Sequence, residues 1–151
     1  MDISVFFDHL YAKRGLDVSY QNPYNPMKKV PDRPLRWVGS AKKDFCDFPE
    51  AVQDDFGYAL YLVQVGVNVV PGAKPLGKGV LKGLGIIELC DDHDGDTYRT
   101  VYTARLGRAV YVLDAFKKKS KHGIATPKHE TDLIRQRYEA AVRHARERGE
   151  L

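Results

Sequence analysis

A cluster of basic side chains follows a strand-forming segment in the second half of this 151-residue chain. In the stretch VYVLDAFKKKSKHG, residues 110–123, seven strand-forming residues lead directly into four lysines. The four are Lys117, Lys118, Lys119 and Lys121. Because like charges repel, such a cluster indicates a negatively charged partner. Arg99, on the strand predicted before it, offers a planar fork for two phosphate oxygens, whereas lysine offers a mobile charge and a transferable proton.

The charge of the chain is divided unevenly along its length. Residues 98–151 contain 13 Lys and Arg against 6 Asp and Glu, a net charge of +7, whereas residues 1–97 have a net charge of −3. This asymmetry favours a basic surface that binds a polyanion. The alternative is a solvated face whose lysines serve only solubility.

The composition is typical of a soluble globular protein with one domain, since 43% of the residues are hydrophobic and 29% are charged. The longest apolar stretch, residues 58–70, is interrupted by a glutamine, a glycine and an asparagine, so we expect no membrane-spanning helix. Cys46 and Cys90 lack metal-ligand spacing and suit a reducing compartment. We therefore expect a cytoplasmic protein without a membrane partner.

Two motifs resemble ligand-binding loops but depart from them. GAKPLGKG, residues 72–79, has the spacing of a phosphate-binding P-loop but ends in Gly79 where Ser or Thr is needed, so we interpret it as a connection. DDHDGD, residues 91–96, alternates acidic residues like a calcium loop but lacks the distal Glu, which favours a hairpin turn. The five histidines are scattered and form no recognisable triad. We predict neither a metal site nor a cofactor.

The first part of the chain is predicted to be an arm followed by two helices. Residues 1–34 are rich in Pro and Asn without a sustained period, apart from one short predicted helix near residues 4–13. Two antiparallel helices should begin near Ser40 and Pro49. The apolar side chains of the second helix recur with helical spacing and predict one buried face: Val52, Phe56, Leu60 and Val63.

The second part is predicted to be a small antiparallel β-sheet followed by a C-terminal helix. Strands are expected near residues 86–90, 98–103 and 109–113, with turn signals between them. Thr126 should cap the last helix, with Pro127 at its first position. One apolar stripe should face the core: Ile134, Tyr138, Ala141, Val142 and Ala145.

This pattern predicts an α+β domain at residues 35–151, preceded by the arm at residues 1–34. If the last two strands pair, an early position on one lies near the end of the other. Arg99 and the lysine cluster should then converge at one solvent-facing edge of the sheet. Tyrosines on these strands, among them Tyr102, could stack on bases.

Several motifs around this cluster carry a family resemblance. TYR-VYT, VYVL-AF-KKS and GIATPK all occur within residues 95–137, and WVGS begins at Trp37. Over residues 35–142 the chain resembles the phage-derived, HigB-like branch of the RelE/ParE toxin superfamily. The resemblance implies a RelE-like α+β fold and a type II toxin–antitoxin toxin. It also implies a metal-independent endoribonuclease that cleaves mRNA on the ribosome, with a helix-turn-helix antitoxin as its partner.

Roles for individual residues follow from the same resemblance. Arg99 matches a phosphate clamp, and Lys118 and Lys119 match a basic pair that stabilises the transition state and supplies a general acid. The residues expected to bind RNA are Lys117, Lys121, Tyr102 and Arg137, although Arg137 could be structural instead. Asp114 stands where relatives often have His, and Cys90 where Arg is frequent, so activity could be weakened. The roles of Asp114 and His122 stay open.

Two alternatives to the nuclease remain. The chain could be a non-catalytic, phage-derived regulator that binds nucleic acid or a host protein through the same basic face. It could also be a ParE-like toxin directed at gyrase, although a lysine-rich strand end fits RNA cleavage better.

Overall fold

The computed structural model describes residues 33–67, 69–118 and 126–151. The helix predicted near residues 4–13 and nearly all of the predicted arm lie outside these residues. The described residues belong to one compact unit, Pro31–Leu151. Within it, the carbonyl oxygen of Pro34 accepts a hydrogen bond from the Val110 amide at 2.9 Å, so residues just before position 35 already contact the sheet.

A five-stranded mixed sheet forms the centre of this unit and confirms the predicted α+β class. The strands are β1 (Leu35–Trp37), β2 (Ala73–Pro75), β3 (Ile86–His93), β4 (Asp96–Thr103) and β5 (Val110–Lys118). Their spatial order is β1-β5-β4-β3-β2. The predicted antiparallel meander is β3-β4-β5, but β1 pairs with β5 in parallel and β2 extends the other side. These two outer strands were not predicted, since three residues are too few to show a period.

Both motifs that resembled ligand loops are structural. Asp94 and Gly95 have φ angles of 49° and 80°, the left-handed conformation that a two-residue turn between twisted antiparallel strands requires. DDHDGD is therefore the β3–β4 hairpin, as expected. The GAKPLGKG segment supplies β2 and runs into a short 3-10 helix, Gly79–Leu81, so the helix that a P-loop needs does not follow it.

In the described ranges, three α-helices pack on the two faces of the sheet. They are α1 (Ala41–Cys46), α2 (Glu50–Gln64) and α3 (Lys128–Glu147). The predicted face of α2 is buried. Phe48, between α1 and α2, contacts the Tyr98 ring with centroids 5.0 Å apart. Val101 lies on the opposite face of the same strand and shares a core with Ile134 of α3. Helices α1 and α2 thus cover one face, and α3 covers the other.

The start of α3 differs from the prediction by one residue. Pro127, not Thr126, occupies the capping position, and the helix begins at Lys128. The Thr126 hydroxyl accepts a hydrogen bond from Arg99 Nη1 at 2.9 Å instead of capping the helix. The predicted apolar stripe is correct: Ile134, Ala141 and Ala145 are buried, and Tyr138 and Val142 pack against the same core.

Arg137 joins α3 to the sheet and to α1. Its side chain is 12% exposed, and Nη1 donates to the Leu113 carbonyl and to Asp114 Oδ1, both at 2.9 Å. Nη2 donates to Ser40 Oγ at 2.7 Å, beside the start of α1. At Gly39, where φ is 57°, a Cβ would lie 3.0 Å from Arg137 Nε. The glycine therefore lets the chain pass close to the guanidinium.

Arg137→Ala is expected to reduce the free energy of unfolding by about 3–5 kcal/mol at pH values where Asp114 is ionised, because one partner of a buried ion pair is removed. Urea unfolding measures the loss. The matched control is Arg143→Ala, an exposed arginine on the same helix, which should change stability by less than about 0.5 kcal/mol. Equal stability of the two variants would contradict the structural role assigned to Arg137.

Candidate active site

Arg99 and Lys118 lie on the same face of the sheet. In the register of β4 with β5, Thr97 pairs with Lys118 and Arg99 pairs with Phe116, so Arg99 and Lys118 are diagonal neighbours. The structure thus brings together two of the three residues predicted to be catalytic. Lys119, the third, lies outside the described residues, as do Lys121 and His122.

The expectation that this site is a solvent-facing sheet edge is wrong. β4 is the middle strand of five, and Arg99 and Lys118 are only 9% and 7% exposed. β4 lies between β3 and β5, and the segment that leads into α3 places Thr126 against Arg99.

The guanidinium of Arg99 is partly occupied by a buried ion pair. Nη1 lies 2.8 Å from Glu88 Oε2, and the two side chains are about one-tenth exposed. Nη1 also donates to Thr126 Oγ1, whereas Nε is buried without a hydrogen-bond partner among the described residues. Arg99 therefore keeps hydrogen-bonding capacity that these residues do not satisfy, as an arginine that binds an anion would.

The surroundings of Lys118 lower its pKa below the ordinary lysine value. Burial is the main cause, the positive charge of Arg99 acts in the same direction, and the carboxylate of Glu88 opposes them. An ammonium whose pKa moves toward neutrality transfers its proton more readily. Lys118 therefore combines a positive charge with a proton that can be donated.

Two residues predicted to bind RNA lie on the opposite face from Arg99. Lys117 pairs with Tyr98 in the β4–β5 register, and its Nζ lies 2.6 Å from Asp96 Oδ2, which raises the lysine pKa. Tyr102 is 5% exposed, and burial raises its pKa. The structure does not bring either side chain to the Arg99–Lys118 pair, and little of the Tyr102 ring is available for stacking.

Asp114 forms a second buried ion pair on the Arg99 face. Oδ1 accepts from Arg137 Nη1 at 2.9 Å and from the Ala115 amide at 3.0 Å, whereas Oδ2 is buried without a hydrogen-bond partner among the described residues. Burial raises the pKa of Asp114 to about 7, and the carboxylate of Glu130 adds to the rise, while Arg137 opposes it. The hydrogen bonds of Arg137 to Leu113, Asp114 and Ser40 all lie within the protein, which favours its structural alternative.

Sequence reasoning missed Glu88 and Thr126, which both contact Arg99. Glu88 carried a signal, because it is a carboxylate in the otherwise apolar run IIELC and shares a sheet face with Cys90, the register partner of Arg99. Thr126 lies in the GIATPK motif, but no local signal pointed to a contact with Arg99, because that contact depends on how α3 docks. Cys90 is half-buried, and burial raises the pKa of its thiol.

No group of three His, Cys, Asp or Glu side chains in the described ranges is arranged to hold a metal ion. Of the helices in those ranges, none is long and apolar enough to cross a membrane.

The mixed α+β fold of the described residues is consistent with a protein of the RelE/ParE-like toxin–antitoxin type, the type to which the matching family belongs. A family model described as "Phage derived protein Gp49-like (DUF891)" matches residues 43–139, more than half of the chain. The chain belongs to this Gp49-like family, whose members are generally toxins of toxin–antitoxin pairs. No curated protein matches the chain.

The raised pKa of Asp114 predicts that stability depends on pH. The carboxyl has an ordinary value of 3.8 and a folded value of about 7, so between these values the folded state binds more protons than the unfolded state. The contribution of this group to the free energy of unfolding therefore falls as pH rises from about 4 to about 7. Asp114→Asn keeps an oxygen for Arg137 and Ala115, and is expected to flatten this fall in urea unfolding.

Asp132→Asn is the control for this measurement, because it neutralises an exposed carboxylate on α3. It should leave the wild-type pH dependence unchanged. An Asp114→Asn variant that kept the wild-type slope between about pH 4 and pH 7 would show that Asp114 is not the group responsible.

Proposed function

We propose that the chain is a HigB-like toxin of a type II toxin–antitoxin pair, a metal-independent endoribonuclease that cleaves mRNA on the ribosome. Its proposed partner is an antitoxin with a helix-turn-helix domain. The family supports the class, since it is associated with RelE-like toxins that cleave mRNA. The observation that carries the proposal is the buried Arg99–Lys118 pair on one sheet face.

In the proposed reaction the RNA 2′-hydroxyl attacks the adjacent phosphorus, and the bond to the 5′-oxygen breaks. Arg99 binds the phosphate oxygens, on which negative charge accumulates in the transition state. Lys118 lies beside it with a lowered pKa and donates a proton to the departing 5′-oxygen. Lys119 is a second candidate for this proton transfer on the resemblance alone.

One observation favours a second candidate function. Arg99 is already paired with Glu88, and this pairing offsets part of the positive charge that a phosphate would meet. A face of this kind could bind nucleic acid or a host protein without cleaving anything. The non-catalytic, phage-derived regulator is therefore the alternative that the experiments below test.

Expression of the chain without an antitoxin should stop bacterial growth and deplete mRNA through cuts inside translated regions. Growth curves and mapping of transcript 5′ ends measure these effects. The Arg99→Ala chain, expressed to the same level, is the control and should permit growth. Normal growth and intact transcripts with the wild-type chain would support the non-catalytic regulator.

Arg99→Ala and Lys118→Ala should each lower the rate of single-turnover mRNA cleavage on programmed ribosomes by about 100- to 1000-fold, because each removes a charge directed at the reacting phosphate. Lys118→Arg should keep RNA affinity but lose rate, since a guanidinium hardly gives up its proton. Lys82→Ala, an exposed lysine before β3, is the control and should cleave at the wild-type rate.

Arg99 and Lys118 are both buried, so the thermal melting of each variant has to be measured alongside its cleavage rate. Folded alanine variants that cleave as fast as wild type would exclude Arg99 and Lys118 from the active site.

A further inference from the structure

Glu88 is a carboxylate in direct contact with Arg99 of the Arg99–Lys118 pair. In the β3–β4 register, Cys90 pairs with Arg99 and Glu88 pairs with Val101, so Glu88 and Arg99 are diagonal neighbours on one face. The Glu88 side chain is 11% exposed, with Oε2 2.8 Å from Arg99 Nη1. Its negative charge also reaches Lys118, where it opposes the fall in the lysine pKa.

Stability alone gives little reason for a carboxylate at this position. Glu88 stands between Ile87 and Leu89 in a strand whose neighbours form the core, and removing a carboxylate from water costs several kcal/mol. A buried ion pair commonly stabilises the folded state no more than a well-packed apolar pair of the same volume does. Charged groups that are buried, paired and gathered beside a basic site are typical of catalytic centres.

We propose that Glu88 is the general base that removes the proton from the attacking 2′-hydroxyl of the RNA. This inference rests on the proposed nuclease function and assigns it a third catalytic residue. Arg99 has two roles in this arrangement, because it binds the phosphate and orients the Glu88 carboxylate through the 2.8 Å ion pair. Glu88 and Lys118 then act as base and acid on either side of Arg99.

The reaction balances with these groups and needs no further reactant. The 2′-oxygen forms a bond to phosphorus as its proton passes to the Glu88 carboxylate. The bond between phosphorus and the 5′-oxygen breaks, and that oxygen takes a proton from the Lys118 ammonium. The products are a 2′,3′-cyclic phosphate and a 5′-hydroxyl, after which Glu88 and Lys118 exchange protons with water.

Asp114, the other buried carboxyl with an arginine partner on this face, is less suited to this role. Its Oδ1 is occupied by Arg137 and the Ala115 amide, and the side chain is 3% exposed. Its pKa of about 7 also leaves it largely protonated on the acidic side of neutrality. In the β4–β5 register it pairs with Val101, whereas Phe116 pairs with Arg99.

The test is the pH dependence of single-turnover cleavage by the full chain on programmed ribosomes. Glu88→Gln keeps the side-chain length and an oxygen for Arg99 but cannot accept the proton. It should lower the maximal rate by about 100-fold or more and abolish the rise of rate with pH on the acid side of the profile. RNA binding should be retained or strengthened, since a negative charge is removed beside the phosphate. Wild-type products should end in a 2′,3′-cyclic phosphate.

Two further variants help to distinguish a Glu88 that acts as the general base from a Glu88 that only positions Arg99. Glu88→Asp should be slower than wild type but keep the acid-side rise, because it retains a carboxylate. Asp92→Asn, on the same face of β3 and exposed, is the matched control and should keep the wild-type rate and profile. Melting curves establish that every variant is folded.

The outcomes distinguish the inference from the function on which it rests. A folded Glu88→Gln variant that keeps the wild-type rate and acid-side rise overturns the role of Glu88 alone. So does a Glu88→Gln variant whose rate falls while the acid-side rise persists, because that result makes Glu88 a positioning residue. A wild-type chain that does not cleave mRNA overturns the nuclease function, and the inference with it.

Discussion

The hydrogen bonds of Arg137 fix the position of α3, and the site depends on that position. The apolar stripe of α3 is buried against the sheet, but hydrophobic contact is non-directional and leaves a helix free to slide or rotate by small amounts. Arg137 donates to β5 and to Ser40 with defined geometry, which removes this freedom. The start of α3 is thereby held over the sheet, where Thr126 contacts Arg99.

Two buried Arg–carboxylate pairs lie on one sheet face, but they connect different parts of the fold. Asp114 and Arg137 join the sheet to a helix, and the arginine is the partner supplied by the helix. Glu88 and Arg99 join two adjacent strands that the backbone ladder already connects, so the fold needs this pair less. The Glu88–Arg99 pair therefore adds little to the connections between elements of the fold. The free-energy cost of burying these two charges is better explained by a chemical role at the site.

Sequence reasoning predicted the elements that carry a clear local signal. Helices α2 and α3 were predicted because their apolar residues recur at helical spacing, and the β3-β4-β5 meander because turn signals separate its strand-forming segments. Strand β1 was not predicted. Its three residues pair with β5 about 75 positions later, as the Arg36–Tyr111 register shows, and the local sequence does not encode that contact. Arg99 and Lys118 were predicted as neighbours from strand pairing, but the contact of Arg99 with Thr126 depends on how α3 docks, which only the folded chain shows.

The lysine cluster that first suggested a site is divided by the alternation of side chains along β5. Lys117 points to one face, where Asp96 pairs with it, and Lys118 points to the other, where it is buried near Arg99 and Glu88. Lys117 and Lys118 are thus separated by the sheet, and each has a carboxylate near it, so the repulsion between these two lysines is reduced. Burial and the positive charge of Arg99 lower the pKa of Lys118, whereas the bond to Asp96 raises the pKa of Lys117. The difference between a solvated lysine and a buried lysine with a lowered pKa therefore arises from one step along a strand.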